Sequence, residues 1–163
     1  MILSGNILNL LSVQYSHETA NSIFYAALQS WADMRGLTGT ASFFRKQSEG
    51  ERGHADHVLS YIHDRNEQLA PKPVEIPVLT VGTFTDLFKL AQERERLTSE
   101  MILAIKTQAE AEGDGATCQW LLDPDGLIKE QVEEENVIQT ILDRIAIDPT
   151  AGPHLLDVWI GGL

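Results

Sequence analysis

Cysteine is almost missing from this chain of 163 residues: Cys118 stands alone, which excludes an internal disulfide and a thiolate metal cluster and suits a reducing cytosol. Such a lone thiol reads as a small, half-buried apolar residue. No uninterrupted apolar run reaches membrane-spanning length, and the opening segment MILSGNILNLLSVQYSHE lacks a basic leader, so neither export nor membrane anchoring is expected and the expected location is cytoplasmic. Positive charge is scarce too. Lys and Arg total 12 against 24 Asp and Glu, and the net charge of −12 repels nucleic acid and anionic membrane while attracting cations. Internal repeats, low-complexity tracts and βαβ alternation are also lacking.

What the chain does have is helical periodicity, with 43% hydrophobic residues, enough for one compact domain over residues 1–163. A first helix is expected from about Leu8 to Arg35, with Gly36 and Gly39 as breakers. A second runs from about Thr40 to Asn66, joined by a short loop and therefore antiparallel to the first. The connection LAPKPVEIPVLTVGTF carries three prolines that deny it helical structure, and its length lets the chain cross from one end of a bundle to the other. A third helix begins near Thr85 and Asp86, a plausible cap, and ends at the GDG of residues 113–115. The fourth has its main body over Leu127 to Ile147. The tail PHLLDVWIGGL suits a short fifth helix whose apolar surface packs between subunits. The fold class expected is all-α: a four-helix bundle with a long crossover between its second and third helices.

Helix wheels then sort the acidic residues. Glu51 shares a face with Phe44, Ala55, Val58 and Ile62, and His54 stays on that face, whereas Glu49 aligns with Ser42, Arg45 and Arg52. On the first helix Glu18 lines up with Leu11, Ser22 and Tyr25. Within QERERL, Glu95 aligns with Phe88, Ala91, Thr98 and Ile102, and Glu93 points elsewhere. Within EQVEEENVI, Glu134 aligns with Leu127, Gln131, Ile138 and Ile141, while Glu133 and Glu135 rotate away.

Each long helix thus offers one inward glutamate near its middle, and two helices add a ligand-type residue at a spacing of three: Glu51 with His54, and Gln131 with Glu134. Buried ionised carboxylates need protons, basic partners or cations beside them. No inward Lys or Arg is expected at that level. Metal ions answer the demand, and several carboxylates with one imidazole suit iron better than zinc or calcium. His17, His57, His63 and His154 have no comparable company and are expected at the surface or behind the ligands.

These residues resemble the ferritin family over nearly the whole chain: the segment from Glu18 through Tyr25 to Trp31, EGERGHA against Glu-Glu-x-x-His-Ala, the long crossover, EQVEEE and a short last helix. The known pattern of ferritin-like di-iron bundles is a glutamate from two helices and Glu-x-x-His from the other two. Here the second pair is Gln131-x-x-Glu134, as in the non-haem ferritins and unlike bacterioferritin. The resemblance implies that Glu18 and His54 bind one iron, Glu51 bridges, Glu95 and Glu134 bind the other, and Gln131 sits beside it. Tyr25 matches the tyrosine near that centre, where it acts catalytically as an electron donor or a hydrogen-bonding neighbour. Arg52 stands where a bacterioferritin has its haem-binding methionine, so no haem is expected. Gly50 replaces a glutamate that helps hold a third iron in many bacterial ferritins, leaving Glu130 and Glu133 to support a weaker third site. WLLDPDGLIKEQ is longer than the usual start of the fourth helix, with Pro124 interrupting it, and Asp123 and Asp125 fall where the family opens iron-entry channels.

The function this resemblance implies is ferroxidation and iron storage: Fe(II) and O2 as substrates, a di-iron centre, and a homo-oligomeric cage of twenty-four subunits that holds mineral. A rubrerythrin-like redox enzyme without storage and a non-catalytic acidic bundle are the alternatives.

Overall fold

The computed structural model describes residues 2–150 and 152–163, and the regular structure among them is α-helical. Six helices follow in order: α1 (Gly5–Asp33), α2 (Thr38–Asp64), α3 (Phe84–Glu112), α4 (Gly115–Leu122), α5 (Leu127–Ile147) and α6 (Pro153–Ile160). Helices α1, α2, α3 and α5 form the bundle, with α1 packed on α2 and α3, and α3 on α5. The fifth helix expected from the tail is α6. None of the helices among the described residues is long and apolar enough to cross a membrane.

The helix ends follow from their cap chemistry. Ser4 caps α1 by accepting from the Ile7 N–H at 3.2 Å, so the helix starts at Gly5 and not at the expected Leu8. The start of α3 is a capping box: Thr83 accepts from the Asp86 N–H at 3.2 Å, and Asp86 accepts in return from the Thr83 N–H at 2.7 Å. Thr83, not the expected Thr85–Asp86 pair, is therefore the cap. Gly113 closes α3 at φ +70°, and Asp114 caps the additional short helix α4. Pro124, lacking an N–H, separates α4 from α5, which spans the predicted Leu127–Ile147.

The two glycines expected to break the first helix have different roles. Gly36 makes the α1–α2 turn at φ +70°. Gly39 lies inside α2, where a Cβ would stand 1.9 Å from the Asp157 carbonyl oxygen of α6. The Asp157 carboxylate accepts from the Gly39 and Thr40 N–H groups at 3.0 and 2.7 Å, supplying the cap that the Leu37 side chain cannot. Gly39→Ala is therefore expected to cost ~3 kcal/mol through forced separation of α6 from α2. Thermal unfolding with limited proteolysis of the tail measures it, and an unchanged midpoint with a protected α6 would contradict the docking.

The crossover, residues 66–83, is tied to α1 through its backbone. Ser12 accepts from the Ala70 N–H at 3.3 Å, and Ser16 both accepts from the Lys72 N–H and donates to its carbonyl. Apolar packing falls into two large clusters along the bundle and a small third one of Ala32, Leu37 and Ala41 around the α1–α2 turn. Of the large ones, one contains Ile7, Leu11, Val58, Ile62, Ile102 and Leu127; the other contains Phe24, Leu28, Phe44, Phe88, Ile138 and Ile141. Between them every long helix turns polar: Glu18 and Asn21 on α1, Glu51 and His54 on α2, Glu95 and Thr98 on α3, Gln131 and Glu134 on α5. Two large apolar clusters thus flank a polar mid-bundle layer.

Candidate metal centre

Glu18, Glu51 and Glu95 are at most 1% exposed, while Glu49, Glu93, Glu133 and Glu135 face solvent, so the helix periodicity sorts them as the wheels do. Ligand atoms of Glu18, Glu51 and His54 all lie within 4.8 Å of one another. His54 Nδ1 is 3.2 Å from a Glu51 oxygen, and its Nε2 is 3.2 Å from Glu130 and 3.9 Å from Glu134. One imidazole, set one turn along α2 from Glu51, thereby reaches across to α5.

Opposite it, Glu95 is held on both oxygens. Tyr25, fully buried against Phe24 and Phe44, donates its hydroxyl to Oε1, and Gln131 Nε2 donates to Oε2 at 2.7 Å. Gln131 also reaches the Glu95 carbonyl at 3.1 Å, which keeps α5 in register with α3. Gln14 donates to Glu18 at 2.5 Å from the preceding turn of α1.

These carboxyls resist ionisation. Burial, reinforced by the charge of Glu51, holds Glu18 well above the ordinary carboxylate range, and burial with the charge of Glu95 does the same to Glu51. Glu95 is raised by burial, and Glu134 is pushed up to about 8 by burial and the charge of Glu95. Burial and Glu95 likewise raise the Tyr25 phenol. Protons therefore remain on this layer at pH 7 and neutralise part of a charge that water cannot reach.

The donor set also suits a cation. Glu134 Oε2 is buried and has no hydrogen-bond partner among the described residues, so this acceptor is unsatisfied where the other carboxylates converge. Oxygen donors with a single imidazole favour a hard or borderline divalent ion such as Fe(II). Access is present as well: an open cleft of about 270 Å³ between α2 and α5 is lined by Gln47, His54, Glu130, Glu133, Glu134 and Val137. Gly50 is exposed beside open space, since a Cβ there would meet nothing within 4 Å.

The structure does not bring every candidate to this layer. Glu133 is exposed on the cleft rim, 3.8 Å from Lys129. Asp123 ends α4 and accepts from Gln119 at 2.8 Å, and Asp125 is exposed in the turn after it; both belong to the α4–α5 connection. Arg52 is exposed and donates to the Ser22 hydroxyl at 3.0 Å.

One expectation is overturned: a cation does stand at this level. Arg94, half-buried and 5.9 Å from the Phe24 ring centroid, donates Nε to Asn21 Oδ1, and its charge acts on Glu51 before any other group. Sequence reading also passed over Asn21 itself, fully buried three residues after Glu18 with its amide on both Glu18 and Glu51. That i, i+3 spacing was the available signal. His17 is buried, with Nε2 2.8 Å from Thr98 Oγ1, and burial with the Arg94 charge pushes it down to about 3, leaving it neutral at pH 7. His57 is half-buried and stacked on Trp120 at 5.1 Å, while His63 and His154 are exposed.

An all-helical bundle whose mid-layer gathers buried carboxylates, one imidazole and an unsatisfied oxygen defines a class of protein that holds cations inside its core. The comparisons say which family within it. The ferritin profile, described as a ferritin-like domain, matches residues 8–147, and the chain belongs to that family. It is 31% identical over 160 residues to a bacterial non-heme ferritin of Bacteroides fragilis, covering 98% of this chain and 99% of that one. A bacterial non-heme ferritin of Staphylococcus aureus is 29% identical over 153 residues, covering 92% and 90%. In fold the chain is similar to a crystal structure described as a novel open pore ferritin from the hyperthermophilic archaeon Archaeoglobus fulgidus. The TM-score is 0.90 at 24% identity, over 98% of this chain and 96% of that one.

Proposed function

We propose that residues 1–163 act as one unit, a ferroxidase and iron-storage subunit that oxidises Fe(II) with O2 inside the bundle and passes the product into a cage. The observation that carries this reading is the mid-bundle layer of protonated, inward carboxylates around His54, with an orphaned oxygen on Glu134.

In this reading two Fe(II) ions enter as substrate through the α2–α5 cleft, whose Glu130 and Glu133 raise the local cation concentration and offer a weaker outer position. Glu18 and His54 hold one ion, Glu51 lies between the two, and Glu95 and Glu134 hold the other with Gln131 alongside. Binding displaces the carboxyl protons. One electron from each iron goes to O2, so the pair delivers two together and avoids a one-electron product. Carboxylate donors favour Fe(III) over Fe(II), which lowers the cost of that oxidation. The Tyr25 hydroxyl, bonded to Glu95, orients that carboxylate and stands within reach as an electron donor.

Storage requires copies of the chain to assemble, and the family's cage of twenty-four in the cytoplasm is the proposed form. On α6, Leu155 and Val158 are 74% and 81% exposed, an apolar face suited to packing between subunits. Asp123 and Asp125 are proposed to line an entry mouth where subunits meet.

Aerobic addition of Fe(II) to the metal-free protein, with the particle sized before and after, tests the proposal. Fast oxidation by a large assembly that retains hundreds of irons is the expected result. Fast oxidation by a small oligomer without retained mineral would replace storage by a rubrerythrin-like redox role. A rate equal to buffer alone would leave only an acidic structural bundle.

A further inference from the structure

Behind Glu18 and Glu51, on the side away from the α2–α5 cleft, lies a buried polar unit that the proposed chemistry does not use. Asn21 on α1 is its centre. Its Nδ2 is 3.2 Å from Glu51 Oε1, 3.4 Å from Glu18 Oε2 and 3.2 Å from Thr98 Oγ1, and its Oδ1 accepts from Arg94 Nε. Arg94 in turn lines a cavity of about 220 Å³ between α1, α3 and the crossover, together with His17 and Lys72.

Hydrogen-bond accounting leaves the Asn21 amide one arrangement. The guanidinium has no acceptor atom, so Oδ1 of Asn21 must face Arg94, and the NH2 group must face the carboxylates. A flipped amide would set an oxygen against two carboxylates and a donor against a donor. The Thr98 hydroxyl lies 3.1 Å from the Arg94 carbonyl and 2.8 Å from His17 Nε2, and with its proton directed at either it still has a lone pair to accept from Asn21. Asn21 spends one N–H on Thr98 and shares the other between Glu18 and Glu51. Two carboxylates from two helices are thus gripped by one amide whose own orientation is locked by α3.

We propose that Asn21 is a positioning residue that sets the spacing and orientation of the Glu18 and Glu51 carboxylates, with Arg94 and Thr98 clamping its amide. This rests on the reading of Glu18 and Glu51 as metal ligands. Without the clamp, Glu51 Oε1 and Glu18 Oε2 lose the shared donor that fixes their rotamers, and the two carboxylates no longer present their oxygens to an ion in one arrangement. Hydrogen-bond partners that orient ligands are worth about 10–100-fold in metal affinity.

Titration of the full-length, metal-free protein with Co(II) tests the inference, because the visible absorption of Co(II) reports its coordination geometry and not only its affinity. The wild type is expected to take up two ions per chain. Asn21→Ala should weaken the tighter site about tenfold or more and change the absorption envelope. Asn21→Leu, which preserves the volume, should do the same, so a cavity is not the cause. Thr98→Val loosens the amide without removing its bonds to the carboxylates, and should shift affinity in the same direction by a smaller factor, about threefold. Wild-type affinity and spectrum in both Asn21 variants would overturn the positioning role while leaving the metal centre standing. A wild-type protein that binds no Co(II) would overturn the metal centre, and this inference with it.

Discussion

Glu51→Ala is expected to reduce the initial rate of Fe(II) oxidation about 100-fold or more, equivalent to roughly 3 kcal/mol of barrier. Glu51 meets His54 at 3.2 Å on one oxygen and Asn21 at 3.2 Å on the other, and faces the charges of Glu95 and Glu134 across the layer. A residue so placed is able to lie between two ions. Glu51→Gln has the same shape and can still accept from Asn21, yet it removes a carboxyl whose ionised form burial and Glu95 disfavour. The metal-free Gln variant should therefore unfold at or above the wild-type temperature while oxidising iron poorly, as expected where a site is held at the expense of stability. Stopped-flow oxidation and thermal unfolding read the two effects separately. Glu49→Ala, on an exposed neighbour, should leave both unchanged. A fast Glu51→Ala protein would remove the bridge from the proposal.

The long helices and the direction of their carboxylates were legible in the sequence because both depend on one local variable, the 3.6-residue period. Glu51 inside and Glu49 outside is a statement about neighbours three and four residues away, and so is Glu95 against Glu93. The Asn21 clamp was not legible in that way. Asn, Thr and Arg are ordinary residues of solvated helix faces, and the bonds that make Asn21, Thr98 and Arg94 a unit join positions more than 70 residues apart. Gly39 shows the same limit in reverse. It has the composition of a helix breaker, yet it sits inside α2 because α6, 118 residues later, leaves no room for a Cβ and supplies the missing cap. The caps at Ser4 and Asp114 join groups only three residues apart, yet sequence pattern singles out neither, and at α3 it favours Thr85–Asp86 over Thr83. Two hydroxyl residues two apart offer the same group, and only the return bond from Asp86 decides between them.

The protons held on the mid-bundle layer lead to the second large expectation, in which stability and metal binding respond to pH with opposite sign. Glu134 titrates at about 8 in the folded chain against 4.5 for the unreacted side chain, and Glu18, Glu51 and Glu95 are raised in the same direction. Between those values the folded state holds protons that the unfolded state has released, so stability is fully present below pH 4.5 and falls as pH rises toward 8. His17 acts the other way: its folded value of about 3 lies below 6.5, so its contribution grows with pH only between those limits. Asp114, lowered by Arg65, matters only in acid. From pH 6.5 to 8 the carboxyls therefore act without opposition from these groups. Glu134 alone should cost the metal-free protein about 2 kcal/mol across that interval, some 4–8 °C in unfolding temperature, and the other raised carboxyls act in the same direction. Divalent ions reverse this, because they displace the same protons and bind more tightly as pH rises. With two ions each at about 100 times its Kd the gain is roughly 5 kcal/mol, or ~10–20 °C. Unfolding scans at pH 6.5 and 8, with and without Co(II), should diverge with pH. Calorimetry in two buffers of different ionisation enthalpy should register roughly one to three protons released per chain. Parallel pH profiles with no proton release would mean that these carboxyls are not the groups a metal ion displaces, and would sink the centre as drawn.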